Sequence, residues 1–199
     1  MLREAQSAFA QHGFDGASLR KICAAAGVDP ALVAHHFGSK EGLWEAVVER
    51  IAHYLDPLTE DLRKLQFKTN IPIRDRMETA LRAFVSSICG DPESGMLLAT
   101  IAAERGTQLD FIVDKLVRPH HDAFSPLLVE AMDAGLIEKQ SVEILYFILF
   151  QAVVMSVSFG HVLARFSPPP DDLHHLKRAM TDSVLAIFLR KTVARKRGR

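Results

Sequence analysis

The chain carries no surplus charge: among its 199 residues, 24 Lys and Arg balance 24 Asp and Glu. A neutral chain is not a generic polyanion binder, so a basic surface must be local and recognition must lean on shape and direct contacts. Cysteine is scarce. Cys23 and Cys89, the two present, fall on apolar helical positions without metal-ligand spacing and fit reduced thiols in a cytosol. No HExxH, GxSxG, phosphate-cradling glycine loop or cysteine-histidine signature occurs, so no catalytic residue is nominated and no enzyme is expected. No useful run of period-2 alternation predicts strands, and there is no internal repeat or low-complexity segment. The sequence does not open with a cationic leader, an apolar core and a small-residue cleavage site, so a cytoplasmic location is expected. The nine histidines include the pairs His35 with His36, His120 with His121 and His174 with His175. Adjacent helical residues point in different directions and make no two-ligand face, so no metal or other cofactor is expected.

What is present begins with a chain that is 48% hydrophobic, enough for a sizeable core in one or two domains. Ser18 to Lys40 reads as two short helices joined by a glycine turn, with a third opening beyond: the layout of a helix-turn-helix. Ser18 caps the first helix, and Leu19, Ile22, Cys23 and Ala26 give it one apolar face. Gly27 reverses the chain; Asp29 and Pro30 restart the helix as cap and first helical residue. Val33 and Phe37 point inward, with His36 beside them as a hydrogen-bonded core histidine.

Pro30, Ala31, Leu32, Ala34 and His35 remain outward at the front of the second helix, small enough for close approach to bases. His35 carries the strong polar handle for a base edge, and Leu32 or Ala31 suits a thymine methyl. Ser18, Arg20 and Lys21 in one first turn, with Ser39 and Lys40 opening the next helix, are the phosphate candidates.

These residues resemble the N-terminal domain of the TetR family of bacterial transcriptional regulators (TetR/AcrR type). The resemblance runs from about Ala5 to Val48. It is carried by Ala5, Phe9, Gly13 and Phe14; by Ser18, Ile22, Ala26, Gly27 and Val28; and by His36, Phe37, Ser39, Lys40, Glu41 and Leu43. Two residues depart from the pattern. Ala31 stands where the family usually has glycine, and Ala34 where it usually has a tyrosine that contacts phosphate, which shifts that work to His35, Arg20 and Lys40. The resemblance implies an all-α protein: a three-helix DNA-binding head over residues 1–48 and a helical effector-binding and dimerisation domain over residues 49–199. It also implies a ligand-responsive homodimeric repressor on a palindromic operator, released by a small apolar or amphipathic molecule. A helical carrier or sensor of an apolar ligand, without DNA-reading activity, is the alternative that periodicity leaves open.

Leu43 to about Lys68 reads as a long amphipathic helix leaving the head for the body. Within Leu109 to Ala134, Pro119 and Pro126 each predict a kink or break. Ile144 to Ala164 lacks charge and has bilayer-spanning length, yet Gln151, Ser156, Ser158 and His161 interrupt it and no aromatic belt flanks it. It reads instead as a buried helix and no membrane partner is expected. Ala152, Ser156 and Gly160 on it, with Leu176, Met180 and Val184 on the next helix, are the expected dimer contacts of a four-helix interface. An effector chamber is expected among Phe84, Ile88, Met96, Phe111, Phe147, Gln151 and Met155, with Ile101, Phe150 and Phe159 nearby and His120, His121 and His161 as further polar groups. The basic run Arg190, Lys191, Arg195, Lys196, Arg197 and Arg199 reads as a solvated helix end.

Overall fold

The computed structural model describes residues 1–100, 105–166 and 173–189. Ile101, the proline run at 168–170 and the basic run from Arg190 onward lie outside the described residues. The described elements are helices, with no strand among them. The first three are α1 (Leu2–Gly16), α2 (Leu19–Ala26) and α3 (Pro30–Phe37), followed by the long α4 (Lys40–Phe67). The body continues through α5 (Ile73–Gly90), α6 (Pro92–Thr100), α7 (Gly106–Ile112), α8 (Arg118–Asp133), α9 (Val142–Ser158), the short α10 (Gly160–Leu163) and α11 (Leu173–Phe188). The all-α architecture, a three-helix head on a helical body, is as the sequence predicts.

The head is framed by local signals. The Ser18 hydroxyl accepts from the Lys21 amide at 3.4 Å, Asp29 Oδ1 from the Ala31 amide at 2.7 Å, and the Ser39 hydroxyl from the Gly42 amide at 3.2 Å. Each satisfies an amide that a helix start leaves without a partner. Gly27 ends α2 in the left-handed region at φ 64°, which a side chain would strain. The head's interior is an aromatic cluster. Trp44 meets Phe9 edge-on at 5.0 Å between centroids and Phe14 at 5.9 Å, with Leu43, Val47 and Val33 buried around them.

Head and body share one continuous core, and α4 contributes to both, from Leu43 to Leu65. A second connection joins α1 to α6. Buried Gln6 donates through Nε2 to Ser94 Oγ at 3.2 Å and accepts from Arg50 of α4, and the Ser94 hydroxyl donates to Asp91 at 2.5 Å. The far end of α4 is held by Arg76, buried on α5, which donates to the Ile71, Leu65 and Gln66 carbonyls and pairs with Glu130 of α8.

No break falls at Pro119 or Pro126 themselves. Pro126 lies within α8, and Pro57 within α4, without ending either helix. Pro119 occupies the first turn of α8, where a missing amide costs little, and the irregularity falls just ahead of it as one π-helical turn, Val113–Val117. The uncharged run beginning at Ile144 ends as a helix at Ser158, and no described helix is long and apolar enough to cross a membrane.

Candidate functional site

The surface of the head presents the expected reading residues together. Pro30, Ala31, Leu32, Ala34 and His35 are all exposed on α3, and Val33 between them is 2% exposed, anchoring the helix to the head. His36 is a correction: it lies on the surface, edge-on to Phe37 with centroids 6.4 Å apart, rather than in the core. A helix this short turns fully twice, so Val33 and Phe37 suffice to seat it and the neighbouring position faces water. Arg20 and Lys21 project from α2, and Ser39 is exposed where α4 starts. Lys40 is more constrained than its sequence position suggests. Its Nζ donates to the Asp15 carbonyl at 3.1 Å and stands 4.7 Å from the Phe14 ring centroid. An ammonium has three donors, so this arrangement aims the group and leaves two hydrogens for an anion.

Sequence reasoning passed over the residue that positions α3 against α4. A β-carbon on Gly42 would lie 2.0 Å from the Phe37 carbonyl oxygen and 3.2 Å from its carbon. The end of α3 therefore rests directly on the first turn of α4. That glycine sits in the same first turn as Ser39 and Lys40, a place where a bulky residue would be free on an ordinary helix.

In the body the expected chamber residues divide. Phe84 and Ile88 line an enclosed apolar cavity, together with Leu55, Leu98, Leu116, Val117, His120 and Phe150. Its free space is about 10 Å³, the room that one water needs. Met96 and Phe147 do not join it: they are 39% and 49% exposed. Phe111 faces a separate groove beside Glu41, Trp44 and Glu45, while Gln151 and Met155 are half-buried on α9 outside the lining. For Phe147, Gln151 and Met155 the cause is α9 itself, apolar nearly all round, so periodicity could not say which face turns in. Leu145, Tyr146, Leu149, Phe150 and Val153 do; Ile144, Phe147 and Ile148 do not.

The cavity's polar feature is His120, 4% exposed. Its Nδ1 is 2.9 Å from the Tyr146 hydroxyl, and its Nε2 is buried without a hydrogen-bond partner. Burial, with the nearby His121 adding to it, lowers its pKa to about 4, so the ring is neutral at pH 7. His121 is half-buried against Asp122 and Ser125, and His161 is on the surface. No group of three metal-ligating side chains occurs among the described residues.

The expected dimer contacts also divide. Ala152 is exposed on α9, and Ser156, Gly160 and Leu176 are half-buried. Met180 and Val184 instead turn into the subunit, because α11 packs on α5: Met180 Sδ lies 3.6 Å from Cys89 Sγ, and Val184 is 7% exposed. The exposed apolar side chains nearby are Ile144, Phe147, Ile148 and Phe159 with Ile187.

Comparison with known proteins agrees with this head and fold. The family model for bacterial regulatory proteins, tetR family, matches residues 1–47. The HTH-type transcriptional regulatory protein RaaS of Mycobacterium tuberculosis is 59% identical over 44 residues, covering 22% of this chain and 20% of that protein. The HTH-type transcriptional repressor AcnR of Corynebacterium glutamicum is 38% identical over 52 residues, 26% of this chain and 28% of that one. The likeness thus spans between a fifth and a third of these relatives' own length. Over nearly the whole chain the fold resembles the transcriptional regulator FadR from Bacillus subtilis, solved in complex with stearoyl-CoA. The TM-score is 0.62 at 15% identity, covering 93% of this chain and 96% of that one, a likeness of fold alone. Residues 1–47 thus match the head of the tetR family of bacterial regulatory proteins in sequence, and the remainder of the chain is similar to solved transcriptional regulators in fold alone.

Proposed function

We propose that the chain is a cytoplasmic homodimeric repressor that binds a palindromic operator and is released when a small apolar or amphipathic molecule enters the body. Residues 1–48 are the DNA head and residues 49–199 the effector-binding and dimerisation domain, the boundary falling inside α4. The observation that carries this reading is the exposed surface of α3, with His35 among its reading residues, His36 beside it, and Arg20, Lys21, Ser39 and Lys40 around it. The exposed apolar side chains of α9 with Ile187 support a symmetric pairing, since a patch of that kind calls for cover. The FadR complex with stearoyl-CoA supports a fold that can take a ligand.

The coupling follows from which helices form the cavity wall. Leu55 belongs to α4, whose first turn carries Ser39 as cap and Lys40; Leu98 belongs to α6, which holds α1 through Ser94 and Gln6. At about 1.5 Å per residue, Leu55 is roughly 22 Å along α4 from Lys40, so a tilt of about 5° displaces the head by about 2 Å. Two heads must enter successive major grooves about 34 to 36 Å apart, and a displacement in each breaks that match. A nearly complete switch needs about 5.5 kcal/mol of differential ligand binding.

Selection from a random duplex pool at low ionic strength, followed by gel shift on the enriched sequence, tests the reading. A preferred, two-fold symmetric sequence is expected, and His35→Ala should lower its ratio over random DNA about tenfold, the worth of one base-edge contact. Cavity binding without any sequence preference would leave a ligand carrier and refute the regulator.

A further inference from the structure

The body cavity is almost wholly hydrocarbon, and its single heteroatom-bearing wall residue is held in one orientation. We propose that the effector is an uncharged, largely apolar molecule with a hydrogen-bond-accepting oxygen, a ketone, ester or ether, that His120 Nε2 anchors. This rests on the reading of the body as an effector domain and adds the ligand's chemical class to it.

The assignment of donor and acceptor comes from Tyr146. Its hydroxyl lies 2.9 Å from His120 Nδ1 and has no other acceptor among the described residues. With Tyr146 donating to Nδ1, the neutral ring carries its hydrogen on Nε2, which becomes a donor. That N–H is buried with no acceptor of its own. An unsatisfied buried donor is costly and is met only when something supplies an oxygen. His120 lines the cavity and Tyr146 does not, and Nε2 is the ring nitrogen that the Tyr146 contact leaves without a partner.

The wall excludes charge. Leu55, Phe84, Ile88, Leu98, Leu116, Val117 and Phe150 offer no cation, and His120 is neutral because of its burial. A carboxylate or phosphate placed there would lose its hydration with no counter-ion. A purely aliphatic ligand would fill the space but leave the Nε2 donor unmet. The space of about 10 Å³ must enlarge to admit a ligand, and its lining shows where. Leu116 and Val117 belong to the π-helical turn ahead of α8, a wider and weaker turn than the α-helix around it, and such turns recur at functional sites.

Three probes of equal bulk separate the possibilities: 2-acetylnaphthalene, 2-isopropylnaphthalene and 2-naphthoate, titrated calorimetrically into the full chain at pH 7.5. The ketone should bind about tenfold more tightly than the hydrocarbon, as one hydrogen bond to a buried donor implies, and the carboxylate more weakly than either. In His120→Phe the ketone's advantage should vanish while the hydrocarbon still binds. In Tyr146→Phe it should shrink, since the ring loses the partner that orients it. Should His120→Phe not fold, the rank order in the unaltered protein decides alone. Equal binding of ketone and hydrocarbon, tightest binding of the carboxylate, or saturable binding of none overturns the inference. Operator binding is scored in the same samples without probe, so loss of the regulator reading is seen separately from loss of the anchor.

Discussion

Gly42→Ala sets helix propensity against packing, and the two predict opposite signs. On propensity alone, alanine inside the first turn of α4 favours the folded state by about 1 kcal/mol. The structure reverses this. The new methyl would lie 2.0 Å from the Phe37 carbonyl oxygen, and since β-carbons essentially never come within 3.0 Å of another atom, about 1 Å of movement is required. Both contacting groups are fixed to backbone, so no rotamer change relieves the overlap, and α3 must slide on α4. Overpacking of this kind costs about 1 to 3 kcal/mol. With both sides rigid the upper half of that range applies, leaving a net loss of about 1 to 2 kcal/mol. The assay is built into the head. Trp44 is the chain's one tryptophan, 2% exposed against Phe9 and Phe14, so urea unfolding followed by its fluorescence reports the head. The variant should unfold at lower urea and, on the function proposed above, bind the selected duplex at least tenfold more weakly, because the proposed reading residues sit on α3 and its seat has moved. An unchanged or raised midpoint with full operator affinity would refute the close approach of the two helices.

Three further expectations follow from groups whose partners are known. Arg76→Met leaves the Leu65, Gln66 and Ile71 carbonyls without their guanidinium donors, and stability should fall by about 3 kcal/mol in chemical denaturation; Arg76→Lys should recover little, since one ammonium cannot span the same diverging acceptors. A loss under about 1 kcal/mol would show that the clamp at the end of α4 is dispensable. For His120 the folded state disfavours the proton, so the unfolded chain binds more protons between the ordinary pKa of 6.5 and the folded value of about 4. Stability from this group is complete above the first value and falls as the pH drops toward the second, by about 3 kcal/mol in all. His120→Phe should flatten that part of the pH profile, and an identical profile in both proteins would place the acid sensitivity elsewhere. Lys40→Ala should reduce the slope of log affinity against log salt by about two in the proposed dimer, near 0.9 per phosphate contact. It should also cost about 1 kcal/mol of stability through the lost Asp15 and Phe14 contacts. A lower stability with an unaltered slope would make Lys40 a scaffold residue only.

The head is legible in the sequence because its determinants are local. Ser18, Gly27, Asp29, Pro30 and Ser39 act on amides or dihedrals within three residues of themselves, so order and spacing along the chain carry nearly all the information. His36 escapes this logic, since adjacent residues on a short helix share no face, and its neighbour Phe37 says nothing about it. Gly42 escapes it too. Its requirement comes from the carbonyl of another helix, and the letter G inside a helical run gives no hint of that distance.

The body is legible as helices and much less so as a site. A stripe on an amphipathic helix declares its inner face, which is why Phe84 and Ile88 of α5 line the cavity. On α9 apolar side chains occupy every face, so the inward set of Tyr146, Phe150 and Val153 and the outward set of Ile144, Phe147 and Ile148 are interchangeable until neighbours choose between them. The choice has a physical signature. Tyr146 is the α9 residue whose hydroxyl needs a buried partner, and His120 on α8 supplies it; turning α9 to bury Phe147 instead would carry that hydroxyl away from its acceptor at a cost of about 1 to 3 kcal/mol. One polar contact thus selects between two nearly equivalent apolar faces. The same contact decides which side chains of α9 remain outside and which nitrogen of His120 is left without a partner.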